Sequence, residues 1–150
     1  MAILQQKDAD TIRSLFAKEL RDPVKLAFFT QGESPLDAPS HECRFCQDER
    51  ELLTELTALN SHLTLEVTDF VASADVAQAR GIDQIPALEL TGHAKGRVRY
   101  IGIPAGYEFS SLIEDIVDLS KGTTRLAQAT REALAKLTRP VHIQVFVTPT

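Results

Sequence analysis

The chain contains no tryptophan, one methionine, one asparagine (Asn60) and two cysteines in 150 residues. Two thiols cannot build the multi-bridge framework of a small secreted domain, and they supply half of a four-cysteine zinc site. Positive charge is also short, with 16 Lys and Arg against 21 Asp and Glu, a formal charge of −5. That balance excludes a general nucleic-acid or anionic-membrane binder. No apolar run approaches the ~18 residues that would cross a bilayer. The opening Met1 to Asp8 has no basic cluster followed by an apolar core, so it does not read as a secretory signal and a cytoplasmic setting is expected. The scarcity of asparagine and methionine leans towards a thermophile.

What remains is ordinary globular composition, 43% hydrophobic and 25% charged, in a chain long enough to bury a core without disulfide support. Charge is unevenly spread. Residues 123–150 carry Arg125, Arg131, Lys136 and Arg139 against Glu132 alone, so they hold +3 and the preceding residues −8. This shift places a change of structural unit near residue 122.

The two cysteines stand together in His41-Glu42-Cys43-Arg44-Phe45-Cys46. Three readings fit a CxxC pair. One is a redox dithiol, with one thiolate to attack and a second thiol to resolve the mixed disulfide. The second is part of a metal site, which requires further ligands. The third is a buried pair without chemistry. The surroundings favour the first. Val24 to Thr30 is short, apolar and aromatic, bounded by Pro23 and Gly32, and reads as a buried strand. Gln31 to Glu42 holds Gly32, Pro35 and Pro39 and reads as loop. Leu52, Leu53, Leu56 and Leu59 then recur at helical spacing. Cys43 thus falls at a helix start, where unpaired N–H groups, the helix dipole and Arg44 favour a thiolate and Glu42 opposes it. Cys46, one turn further, is placed to be more covered.

The rest of the chain alternates helix and strand. Ile12, Leu15, Phe16 and Leu20 mark an amphipathic helix over 8–21, and His62 to Thr68 alternates as a strand does. Ser73 to Arg80 reads as a short helix closed by Gly81. Ile85 to Leu90 and Arg97 to Ile101 read as two strands joined by a turn with Gly92 and Gly96. Ser110 or Ser111 is expected to cap a helix with Leu112, Ile113, Ile116, Val117 and Leu119 inward, ending at Gly122; Ser111 with Glu114 fits a capping box. The order is α-β-(CxxC)α-β-α-β-β-α.

That order, with CxxC at the first strand-to-helix junction and Ile85-Pro86 opening a later strand, resembles a thioredoxin-like domain. The resemblance implies an α/β fold with a central mixed four-stranded sheet flanked by helices. It also implies a cis bond before Pro86 beside the dithiol, with the backbone at Ile85 pairing to an extended substrate segment. The stretches Gly81-Ile82-Asp83-Gln84-Ile85-Pro86-Ala87 and Tyr100 to Phe109, with its Pro-Ala-Gly-Tyr-Glu-Phe run, narrow it. They resemble the N-terminal unit of the two-unit, glutaredoxin-like protein disulfide oxidoreductases, found mostly in thermophiles. Two features depart from that pattern. The Gln31–Glu42 loop is long, and Arg44-Phe45 stands where Gln-Tyr or Pro-Tyr type pairs are expected. The strand before the motif also lacks the buried aspartate of thioredoxin itself.

A duplication is visible independently. Phe16 to Val24 and Ala133 to Val141 both end a helix and enter a strand through an Asp-Pro or Arg-Pro step, 117 residues apart. Residues 1–122 are therefore read as one complete unit, and 123–150 as the first helix and strand of a second. Val141, Ile143, Val145 and Val147 would form one face of that strand, which offers a route to a homodimer by strand exchange.

Implied by the resemblance, the activity is thiol–disulfide exchange on protein substrates. Cys43 is the attacking thiolate and Cys46 the resolving thiol. Ile85, Pro86, Arg44 and Phe45 meet the substrate. No bound cofactor is implied, and electrons pass to or from another thiol protein, a reductase or glutathione. His41 is a candidate for tuning the Cys43 pKa, although an exposed loop histidine is the favoured reading. Lys25 and Glu66 are candidates for a buried ion pair relaying a proton beneath the dithiol, although strand-edge charges reaching solvent are the favoured reading. His62, His93 and His142 show no ligand spacing to the cysteines, so no metal is expected. Glu114, Asp115 and Asp118 read as a solvated helix face. Two other roles compete with the enzyme: a redox-weak, structural or substrate-binding half of a tandem protein, and an electron-carrying docking module of a larger reductase.

Overall fold

Pro23 ends the first amphipathic stretch and starts the strand around which the molecule is built. A computed structural model of the chain describes residues 3–32 and 43–147. Helix α1 (Gln6–Glu19) leads into β1 (Val24–Thr30), followed by α2 (Cys46–Thr57), β2 (Leu63–Asp69) and α3 (Ala74–Arg80). Strands β3 (Ala87–Thr91) and β4 (Val98–Ile101) form a hairpin, and α4 (Tyr107–Lys121) and α5 (Gln128–Ala135) complete the order.

The sheet order is β2-β1-β3-β4. Strands β1 and β2 are parallel, joined by the crossover helix α2, with Phe28 opposite Val67. Strand β3 runs antiparallel to β1, with Phe29 opposite Ala87, and β4 runs antiparallel to β3. The expected mixed four-stranded sheet is what forms. As an interior strand, β1 is buried at every position but Lys25, which explains its continuous apolar run.

Alternation along β1 divides the core in two. Leu26 and Phe28 join Leu88 and Leu90 on one face, covered by Ile12 and Phe16 of α1, Leu53 and Leu56 of α2, and Leu112 and Ile116 of α4. Ala27, Phe29 and Ala87 point to the other, covered by Ala77 of α3, Ile82, Phe70 and Ile85. Phe16, Phe28 and Phe29 are fully buried, each worth about 1.5–3 kcal/mol in transfer from water.

Polar ties close the edges. Ser120 is buried on α4, accepts from the N–H groups of Arg21 and Asp22 at 2.8 and 3.1 Å, and donates to the Asp22 carbonyl at 2.7 Å. Glu55 of α2 accepts from the backbone N–H groups of Ile3 and Leu4. Buried Glu89 on β3 meets Arg80, Arg97 and Arg99.

Three expectations are corrected. Helix α4 begins at Tyr107, not at a serine cap. Gly106 at φ 59 turns the chain directly out of Pro104-Ala105 into the helix, leaving Ser110 and Ser111 exposed within its first two turns. The acidic face of α4 is engaged: Asp115 accepts from the Tyr100 hydroxyl, while Glu114 and Asp118 bind Arg125. The strand expected over residues 141–147 does not form. Alternation supplies two faces, but a strand also needs a hydrogen-bonded neighbour, and no described strand pairs with this segment. Val141, Ile143, Val145 and Val147 are 61–81% exposed, and α5 has no buried residue.

Candidate redox site

The site forms where β1 ends and α2 begins. Cys43 and Cys46 are joined in a disulfide with their Cα atoms 5.4 Å apart. Gln31, directly after β1, clamps both. Its side-chain Oε1 accepts from the Cys43 N–H at 2.7 Å, and its own N–H points at Cys46 Sγ at 3.5 Å. The Cys46 N–H donates to the Cys43 carbonyl. Helix α2 opens at Cys46, and Phe45 at its N-cap makes no side-chain hydrogen bond to it. The positive end of the helix therefore lies at the disulfide, where it favours a thiolate once the bond opens.

The two sulfur-bearing residues differ in cover, as the helical placement implies: Cys43 is half-buried and Cys46 is 6% exposed. An incoming nucleophile meets Cys43 first. Between them Arg44 and Phe45 are exposed, with the guanidinium 5.1 Å from the ring centroid. The Ile85–Pro86 bond is cis. Since Ala87 stands opposite Phe29, the preceding Pro86 comes level with Thr30, one residue before the Gln31 clamp. Pro86 is buried, and its carbonyl accepts from the Gly102 N–H at 2.8 Å. Ile85 is half-buried against the α3-side core. The fold thus brings Cys43, Cys46, Arg44, Phe45, Ile85 and Pro86 to one end of the sheet. Val71, 74% exposed, follows Phe70, whose N–H reaches the Thr30 carbonyl at the same end.

The proton-relay candidates lie elsewhere. Lys25 and Glu66 do pair, at 2.5 Å, but both side chains are nearly half exposed. Their hydrogen bond holds the Glu66 carboxyl below its usual range. Lys25 is the second residue of β1 and the disulfide sits past the last, so the length of the strand separates them. They form a surface pair at the opposite end, not a buried pair under the dithiol. His41 lies outside the described residues.

The buried carboxyl at this site belongs to Glu49, which sequence reasoning missed. It is one turn after Cys46, fully buried, and neither carboxyl oxygen has a hydrogen-bond partner among the described residues. Burial pushes its pKa up to about 8. A signal was present: Cys46, Glu49, Leu52, Leu53 and Leu56 form one inward stripe of α2, and Glu49 is its one charged member.

No protein-family model and no curated protein matches the chain in sequence. Solved structures do match in shape. A protein disulfide oxidoreductase from Aeropyrum pernix superposes with a TM-score of 0.71 at 26% identity, over 89% of this chain and 55% of that one. The fold is thioredoxin-like. The alkylhydroperoxide reductase AhpF of Enterococcus faecalis gives a TM-score of 0.70 at 20% identity, over 89% of this chain and 61% of that one. The N-terminal domain of the same reductase gives 0.69 at 20%, over 86% and 58%. This chain therefore spans little more than half the length of these thioredoxin-like neighbours.

Proposed function

We propose that the chain is a thiol–disulfide oxidoreductase acting on protein substrates. The observation that carries this reading is the Cys43–Cys46 disulfide at a helix start, with Cys43 half-buried beside the exposed Arg44 and Phe45 and with Cys46 covered. The reduced form attacks a substrate disulfide through the Cys43 thiolate. A Cys43–substrate bond forms and one substrate thiolate leaves. Cys46 Sγ then attacks Cys43 Sγ, restoring the internal disulfide and releasing the second substrate thiolate. Each cycle moves two electrons, so a thiol partner must supply or remove them.

Substrate contact is assigned to Arg44 and Phe45 on the rim and to the backbone at Ile85 beside Pro86. An extended segment of substrate can add there as a short strand. Exposed Phe45 and Val71 give that segment an apolar edge. The likeness to the Aeropyrum protein supports the reading. The scarcity of asparagine and methionine supports a thermophilic source, and the resemblance carried by the Pro-Ala-Gly-Tyr-Glu-Phe run supports a glutaredoxin-like assignment; no described helix is long and apolar enough to cross a membrane.

The same reasoning assigns residues 123–150 to the start of a second unit. The exposed apolar residues of 141–147 then wait for a strand neighbour, in that unit or in a second copy of the chain. A second reading, an electron-carrying module docked to a larger reductase, draws on the likeness to the Enterococcus alkylhydroperoxide reductase.

Trapping tests the proposal. Cys46→Ser should leave Cys43 able to attack but unable to be released, so a disulfide-bearing protein substrate accumulates as a mixed disulfide. Cys43→Ser should trap none. Equal trapping by both variants, or by neither, would overturn the assignment.

A further inference from the structure

The resolving step needs a group that takes a proton from the Cys46 thiol, and the opening step needs one that returns it. Cys46 is nearly closed to solvent, so bulk water serves that exchange poorly. On an α-helix, residues three apart share a face with about 5–6 Å between Cβ atoms. Glu49 stands in that relation to Cys46. Its carboxyl is fully enclosed, and both oxygens lack a hydrogen-bond partner among the described residues. A carboxyl buried without hydrogen bonds is costly to the fold, and a leucine there would simply extend the stripe of Leu52, Leu53 and Leu56.

We infer that Glu49 is the proton store for Cys46, giving a proton to its sulfur when the disulfide opens and taking it back when Cys46 resolves the mixed disulfide. The inference rests on the oxidoreductase reading above. In the opening direction a substrate thiolate attacks Cys43 Sγ, the Cys43–Cys46 bond breaks, and its electron pair departs on Cys46 Sγ. The Glu49 carboxylic acid protonates that sulfur and becomes a carboxylate. In the resolving direction the carboxylate takes the proton from the Cys46 thiol, whose sulfur attacks Cys43 Sγ and expels the substrate as a thiolate. One bridging water, or a change of Glu49 rotamer, closes the remaining distance.

Among the described residues, the charged groups on the elements packed against Glu49 are engaged elsewhere or exposed. Helix α2 packs on β1 and β2. On those strands Lys25 and Glu66 pair with each other, and Asp69 accepts from the N–H groups of Val71 and Ala72. On β3, Glu89 is held by arginines. On α2 itself, Asp48 is exposed, and Arg50 reaches the Gln31 carbonyl at 3.5 Å. Burial alone raises the Glu49 pKa to about 8, which keeps the carboxyl protonated at neutral pH and ready to donate.

The test is the pH profile of disulfide opening in the oxidised full chain. Dithiothreitol is the reductant, the reaction is quenched by acid, and free thiols are read by an alkylating mass tag. Rates are divided by dithiothreitol thiolate concentration. In the wild type this normalised rate should hold steady below pH 7 and fall at least five-fold between pH 7 and 9. In Glu49→Gln it should be lower at pH 7 by about ten-fold, at or below the low end of general-acid effects, and show no such fall. Glu49→Asp should keep the fall. Carbon-13 NMR of glutamate-labelled wild type supplies a readout without substitution: the Glu49 carboxyl should titrate at different pH in the oxidised and reduced forms. A Glu49→Gln profile that parallels the wild type, or identical titration in both redox forms, would overturn the inference while leaving Cys43–Cys46 exchange intact. A wild-type disulfide that glutathione cannot form and reopen would instead remove the reading on which it rests.

Discussion

The backbone N–H of Cys43 donates to Oε1 of Gln31 at 2.7 Å, which fixes the first cysteine of the motif to the end of the central strand. The Gln31 N–H meanwhile points at Cys46 Sγ. One residue past β1 thus sets the position of both sulfurs. Gln31→Ala should remove the side-chain half of this clamp, lowering stability by about 0.5–1.5 kcal/mol, as for one net hydrogen bond. Urea unfolding of the oxidised chain checks it. Gln31→Glu keeps an acceptor and should lose less.

Glu49 should make the protein less stable as pH rises. Its folded pKa of about 8 lies above the ordinary value of 4.5, so the fold binds a proton that the unfolded chain gives up. Burial of the neutral acid carries no ionisation penalty below about pH 4.5. The penalty grows between 4.5 and 8, reaching on the order of 3 kcal/mol at pH 7. Glu49→Leu should therefore be more stable than wild type at pH 7 by an amount of that order, with the gap closing towards pH 5. Denaturant midpoints measured at both pH values would show whether the gap follows this window.

Lys25→Ala should leave the site alone. The Lys25–Glu66 pair is half exposed and stands at the other end of β1, so its loss should cost less than about 1 kcal/mol. The rate of disulfide opening and its pH profile should be unchanged. A displaced profile would put a relay back through this pair.

Glu89→Ala removes the buried carboxylate shared by Arg80, Arg97 and Arg99. Those arginines are 28–56% exposed and can turn to water. The expected loss is thus about 2 kcal/mol, below the 3–5 kcal/mol of breaking a fully buried pair. Thermal unfolding of the variant measures it, and Glu89→Gln should recover part of the loss.

The elements of the fold were legible because each carries its own local signal. The aromatic run of β1, the leucine stripe of α2 and the left-handed stops at Gly81 and Gly122, φ 67 and 65, are written in short stretches of chain. The cysteine pair and Ile85-Pro86 were likewise readable through their resemblance to known domains. Strand pairing is not local, so the apolar alternation of 141–147 promised a strand that joins no ladder among the described residues. Lys25 and Glu66 do pair, but Lys25 is the second residue of β1 and the cysteines follow the last, so the sequence already carried the separation that keeps this pair away from the disulfide. Glu49 was overlooked because a glutamate in the first turn of a helix ordinarily favours the dipole and faces water. Only the packed stripe reveals that this one points inward.

The most direct test of the whole account is a glutathione redox titration of the chain, with free thiols trapped by a mass tag. The account predicts one reversible two-electron transition of Cys43 and Cys46 between about −120 and −270 mV, the span of catalytic dithiols. A midpoint below about −300 mV, the range of inert structural disulfides, or a pair that never oxidises, would contradict it.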